Sequence, residues 1–255
     1  MDFAISQIDD SDRAGTSSQH KTYVLVHGGY HGGWCWKEVA AGLRSRGHTV
    51  YTPTLTGLGE RSHLMSFKPT LGTFIEDIVQ VIRFEELDDV ILVGHSFAGS
   101  IVSGVADRVR VRLRHLVHLD SQVLQSGESP ADELPPELVQ RYKQRAMEAG
   151  DGLSIPPNAP DYFGITDPQM AAWLQTKLTP HPLQTYFDKL NLENPLCNGV
   201  PATYIACSKP LFPVNAKSRE LAKTTPGWTY LEIPTAHDAM ILMPYELTEM
   251  LAAIG

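Results

Sequence analysis

The sequence predicts an α/β domain: a mostly parallel sheet covered by helices on both faces, with a helical cap inserted after the fourth strand. Three observations carry this. Short runs that are apolar throughout alternate with longer amphipathic runs from residue 22 onward, the pattern of strands buried between helix layers. The alternation stops between about Gln125 and Pro195, and it resumes afterwards until the chain ends.

Each element follows in order. "TYVLVH" is a β-rich buried strand, and "WCWKEVAAGLRSRG" is a helix stopped by Gly47. "HTVYTPTL" is a second strand, broken by Pro53. "TLGTFIEDIVQVIRFEEL" places its apolar residues at helical spacing. "DDVILVGHS" is the third strand, "FAGSIVSGVADRVR" the helix leaving it and "LRHLVHLD" the fourth strand. The interruption is rich in Pro and Gly, with helical patches "PPELVQRYKQRAMEAG" and "DPQMAAWLQTKL". It is too short for a domain with its own large core and reads as a cap. Strand "PATYIAC", helix "NAKSRELAKT", strand "WTYLEIP" and helix "PYELTEMLAAI" complete the pattern. The expected division is a flexible leader over 1–21, a core over 22–124 and 196–255, and a helical cap over 125–195.

Composition narrows the function. The 255 residues are 42% hydrophobic and 20% charged, an ordinary globular balance. The net charge is −8 and no basic stripe interrupts it, so nucleic acid is not expected as a partner. The N-terminus is polar and lacks a charged start followed by an apolar run, and no apolar run approaches the roughly 20 residues that span a bilayer. The expected location is cytoplasmic, with no membrane partner. Cys35, Cys197 and Cys207 are odd in number and without paired spacing, so they read as buried free thiols. The oligomeric state stays open, a homodimer included.

The chemistry gathers at three places. "VILVGHSFAGS" runs a buried strand through a sharp turn at Ser96 into a helix of small residues, the context of a nucleophile elbow. Gly94, Ala98 and Gly99 keep volume small there, with Ala98 where the usual pattern has glycine. "LVHGGYHGGWCW" follows the first strand, so the backbone amides of Gly29 and Phe97 become the expected oxyanion donors. The Phe97 amide also lies at a helix N-terminus, where the dipole favours negative charge. A phosphate loop would need a G-x-G-x-x-G spacing or a P-loop lysine, and neither is present. "EIPTAHDAM" places His237 after the last strand, in reach of Ser96 as general base and then general acid. His31 and His95 flank the site. His48, His63, His115, His118 and His181 show no ligand spacing, so neither metal nor cofactor is expected.

"VLVHGGYHGGWCW", "TPTLTGLGERSHL", "GHSFAG" and the late "AHDAM", in this order, resemble the α/β-hydrolases related to plant methyl esterases and hydroxynitrile lyases, and more closely the bacterial esterases of that group. The resemblance runs from Tyr23 to the C-terminus apart from the cap. It implies an α/β-hydrolase fold and cofactor-free ester hydrolysis. In the plant members it places the acid after the strand before last, at about Lys209 here. The stretch "ATYIACSKPLFPVNAKSR" holds no Asp or Glu, and the next carboxylate, Glu220, lies inside a helix. The acid must come from elsewhere or be absent, and Asp120 is the expected one. It ends the strand next to the nucleophile strand, where several α/β-hydrolases, haloalkane dehalogenases among them, carry theirs. Asp238 is a poorer choice, because its side chain points away from the neighbouring imidazole.

The leading expectation is a serine esterase. Ser96 attacks the carbonyl, His237 shuttles the proton, Asp120 orients His237, and water releases the acyl-enzyme. The substrate is expected to be a small to medium ester, carbamate or lactone with an apolar or aromatic part. Gly28, Tyr30 and His95 near the serine, and Trp173, Phe163 and Tyr186 in the cap, are candidate contacts. Met147, Tyr162, Met170, Leu178 and Phe187 add to the apolar character of the cap. A hydroxynitrile lyase would need, by the resemblance, a lysine at Asp238 and a threonine at Gly28. A cofactor-independent dioxygenase of the same fold, working through His237 and Asp120 with serine only binding substrate, is the sharper alternative. A binding protein without catalysis is the third.

Overall fold

The structure, a computed structural model, describes residues 20–149 and 152–255. The leader expected over 1–21 therefore lies, up to residue 19, outside the described residues. The chain runs β1 (Thr22–Val26), α1 (Lys37–Ser45), β2 (Thr49–Tyr51), α2 (Leu71–Phe84), β3 (Val90–His95), α3 (Ala98–Val109) and β4 (Leu113–Leu119). The inserted segment holds α4 (Pro136–Glu148), β5 (Ser154–Ile155), α5 (Pro168–Gln175) and β6 (His181–Pro182). The core resumes with β7 (Ala202–Cys207), α6 (Ala216–Thr224), β8 (Trp228–Ile233), α7 (Ala239–Leu242) and α8 (Pro244–Ala253).

The main sheet has the order β2-β1-β3-β4-β7-β8, and each adjacent pair is parallel. The two-residue repeat of a strand explains its two cores. Val24, Val26 and Leu92 pack with Phe74 and Ile78 of α2 and Ile101 and Val105 of α3. Tyr23, Leu25, Ile91 and Val93 pack on the other face with Val39 and Leu43 of α1 and Leu247 and Leu251 of α8. β2 is shorter than "HTVYTPTL" predicts, ending two residues before Pro53. Proline has no amide to give a ladder, and the chain leaves the sheet ahead of it.

The cap has no core of its own among the described residues. Tyr142, Ile155, Phe163, Leu174 and Tyr186 belong to the same buried cluster as α2 and α3. Besides its helices it carries the short antiparallel pair β5–β6. Consecutive strands diverge around β1 and β3, with β2 on one side and β4 on the other. Their C-terminal ends frame the crevice where open α/β sheets bind ligands. Among the described residues no helix is long and apolar enough to cross a membrane.

Three histidines buried in this framework bear on acid stability. Leu55 N–H donates to His27 Nε2 at 3.1 Å, and Tyr30 N–H donates to His181 Nδ1 at 3.4 Å. An acceptor nitrogen requires a neutral ring. His118 is stacked on Trp228. Burial pushes all three down to about 3. The unfolded chain protonates them near pH 6.5, so it binds more protons than the folded state between about pH 6.5 and 3, and stability falls as pH falls through that window. Glu133, pushed up to about 7 by burial, and His31, raised on balance by Asp238, act in the opposite direction. His48, His95 and His115 are lowered as well, by burial first. The lowered histidines outnumber the two opposing groups, so the urea midpoint is expected to drop steadily from pH 7 to pH 5, above the carboxylate range. A flat or rising midpoint would contradict this.

Candidate active site

β3 ends in a turn at Ser96, whose φ of 55° is left-handed. A side chain held in that region is strained by about 1–3 kcal/mol, and the surrounding bonds hold it there. Ser96 N–H donates to Leu119 O at 3.1 Å, and Ser96 O accepts from Gly99 at 3.2 Å and Gln122 at 3.0 Å. Position 99 must be glycine, since a Cβ there would stand 1.9 Å from Gln122 O. The turn thus locks against the end of β4 and presents Ser96 Oγ to the crevice.

His237 arrives from the loop between β8 and α7. Its Nε2 lies 2.8 Å from Ser96 Oγ, and its Nδ1 lies 2.7 Å from Asp120 Oδ2. A carboxylate only accepts, so Nδ1 carries the proton and Nε2 accepts from the serine hydroxyl. His95 Nε2–H donates to His237 O at 3.0 Å, and the Phe212 ring lies flat on the imidazole, 3.8 Å between centroids and 16° between planes.

Asp120 is fully buried. It follows β4 with φ of 39°, and its N–H donates to Ile205 O at 2.7 Å. Oδ1 has no hydrogen-bond partner among the described residues, but the buried Arg219 guanidinium stands 3.8 Å away. Asn215 Nδ2 donates to Asp120 O. The stretch after β7 that lacks an acid therefore supplies Phe212, Asn215 and Arg219 around the His237–Asp120 pair. Of the other carboxylates considered, Glu220 pairs on the surface with Lys223, and Asp238 pairs with His31. Lys209 only ties β7 to Thr235 through its backbone.

The crevice is a pocket of about 390 Å³, its open mouth included. Gly29, Ser96, Phe97 and His237 lie at its floor, and Tyr30, Tyr142, Tyr162, Phe163, Tyr186 and Phe212 form its walls with Gln122, Leu134, Val214 and Asn215. Of the contacts expected from sequence, Tyr30, Phe163 and Tyr186 line it. Gly28 does not: it backs Ser96, and a Cβ there would stand 2.9 Å from Ser96 Cβ. The threonine of a lyase has no room at that position. His95 lies behind His237 rather than facing substrate space. Trp173 stands edge-on to Trp34 with 42% of its surface exposed, and Met147 is exposed; both lie outside the pocket. Sequence reasoning missed Tyr142, Phe212, Gln122 and Asn215 as lining residues.

All three cysteines are buried and free. Burial pushes the Cys207 thiol well up, so it stays protonated, and its Sγ–H lies 3.5 Å from His237 O. Among the described residues no cluster of His, Cys, Asp and Glu could hold a metal.

A sequence model of the alpha/beta hydrolase family matches residues 23–249. The chain belongs to that family. The expected enzyme class, a carboxylic ester hydrolase, agrees with the hydrolase's relatives. It is 40% identical to a carbendazim hydrolyzing esterase of Nocardioides sp. (strain SG-4G), over 91% of this chain and 99% of the relative. It is 27% identical to the pFDCC methylesterase MES16 of Arabidopsis thaliana, over 88% of this chain and 90% of the relative. Among solved structures, an extracellular alpha/beta-hydrolase from a Paenibacillus species superposes with a TM-score of 0.82 at 26% identity, covering 92% of this hydrolase and 99% of that chain. That protein is described as sharing structural and functional homology with tobacco salicylic acid binding protein 2.

Proposed function

We propose that this hydrolase is a serine esterase acting through an acyl-enzyme on Ser96, on small to medium esters or carbamates with a flat aromatic part. The observation that carries the reading is the chain of short contacts from Ser96 Oγ through His237 to Asp120, at the floor of an aromatic pocket. His237 Nε2 takes the serine proton as Oγ attacks the carbonyl, and the Gly29 and Phe97 amides receive the developing oxyanion. His237 then protonates the leaving group, and water, activated by the same imidazole, releases the acyl group. Asp120 holds Nδ1–H and stabilises the imidazolium.

The walls favour an aromatic guest. Tyr142 stands edge-on to Tyr186 at 5.1 Å, and Tyr162 to Phe163 at 5.3 Å, so ring faces and edges border a slot suited to a planar group. The 40% identical relative is named for hydrolysing carbendazim, an aromatic methyl carbamate, which supports the carbamate option. The test is kcat/KM across methyl esters of aryl acids, methyl carbamates of aryl amines and p-nitrophenyl esters of acetate to palmitate. Aryl methyl esters or carbamates are expected to lead, with activity falling as the acyl chain lengthens. A preference for palmitate would overturn the substrate class.

A further inference from the structure

A second histidine–carboxylate pair lies behind the one at the floor of the pocket. His31 Nε2 stands 3.1 Å from Asp238 Oδ2, with side chains 1% and 0% exposed. His31 Nδ1 stands 2.8 Å from Gly29 O. Carbonyl and carboxylate oxygens only accept, so His31 donates from both nitrogens and is an imidazolium. Burial works against that charge, and Asp238 outweighs it; the carboxyl of Asp238 is in turn held below its ordinary range by His31 despite burial. Burying two charges is costly unless geometry fixes them, and here it does: the His31 ring is stacked on Trp34 and edged by Phe163.

The ends of this pair give it a role. Gly29 bears an amide assigned above to the oxyanion, and Asp238 directly follows His237. We propose that the His31–Asp238 ion pair is a positioning clamp that ties the loop after β1, carrying the oxyanion donor, to the loop after β8, carrying the general base. The proposal rests on the serine-esterase reading and adds residues that touch neither substrate nor reacting atoms. The clamp sets the separation of two groups that must meet one tetrahedral intermediate. His95 braces the same loop from below, donating to His237 O while standing 3.8 Å from Asp238 Oδ1.

The test compares wild type with Asp238→Asn and with the paired variant His31→Phe plus Asp238→Leu. The first removes the charge and keeps shape; the second keeps the ring packing and leaves no buried charge unpaired. For each, circular dichroism gives the folded fraction, and kcat and KM are measured on the best aryl methyl ester together with the inhibition constant of phenylboronic acid, which adds to Ser96 and places an oxygen at the oxyanion position. A misplacement near 1 Å costs about 100-fold in rate, so kcat is expected to fall about 10- to 100-fold. Boronate affinity is expected to fall in parallel, with KM changing less than about twofold. Folded variants with wild-type kcat and boronate affinity would overturn the clamp, as would losses that only track the folded fraction. A wild type that neither hydrolyses esters nor binds boronate would instead refute the serine-esterase reading, and the clamp with it.

Discussion

Asp120→Asn is expected to lower kcat by about 10⁴, the scale known for a triad acid changed to its amide. His237 now has one short contact to Asp120 and one to Ser96. An amide nitrogen turned toward Nδ1 would shift the ring proton to Nε2, which then could not accept from Ser96. The imidazolium formed during attack would also lose its countercharge in a buried site, where such a charge matters more than in water. Arg219, 3.8 Å from Asp120 Oδ1, would be left buried with Phe212 O as its hydrogen-bond acceptor. Breaking a buried pair in this way costs about 3–5 kcal/mol, so a lower melting temperature accompanies the kinetic loss. Turnover per folded molecule separates the two effects. Glu220→Gln, at the surface, is the matched control and should leave kcat unchanged. Near-normal kcat for Asp120→Asn would remove Asp120 from the mechanism.

Ser96→Ala is expected to lower kcat by about 10⁶, since loss of a nucleophile that acts as a unit with its base costs as much as losing the whole set. The fold should survive: the backbone bonds that lock residue 96 to Leu119, Gly99 and Gln122 involve no side-chain atom. Residual ester turnover would reflect the oxyanion amides and binding alone. If instead Ser96→Ala retained turnover, and that turnover consumed oxygen with an aromatic hydroxy-heterocycle, His237 and Asp120 would be serving the dioxygenase chemistry that the same layout allows.

The strand pattern was legible because β1, β3 and β7 are apolar and buried on both faces, and Ser96 was legible because strand, turn and helix are contiguous in the chain. His237 followed from its place after the last strand. Asp120 followed from its place at the end of the strand next to the nucleophile strand and from the resemblance, since the stretch from Ala202 to Arg219 lacks the acid that the plant members carry there. Asp120 Oδ2 lies 2.7 Å from His237 Nδ1. What that stretch does instead could not be read. Phe212, Asn215 and Arg219 meet the end of β4 and His237 only through the path of the loop after β7, which no periodicity encodes. The cap misled for a related reason. Trp173 and Met147 carry the apolar character of a pocket wall, but which way α5 and α4 present them depends on how the cap sits on the core. Tyr142, on α4, faces the pocket from the same helix that exposes Met147. Gly28 is expected from the sequence as a substrate contact, whereas it backs Ser96, where a Cβ would stand 2.9 Å from Ser96 Cβ.

The central claim is that Ser96 is an activated nucleophile, and intact-mass spectrometry after exposure to a fluorophosphonate tests it most directly. The account predicts one covalent adduct per folded wild-type chain, formed with loss of fluoride, and none on Ser96→Ala. A folded wild type that stays unmodified would contradict it.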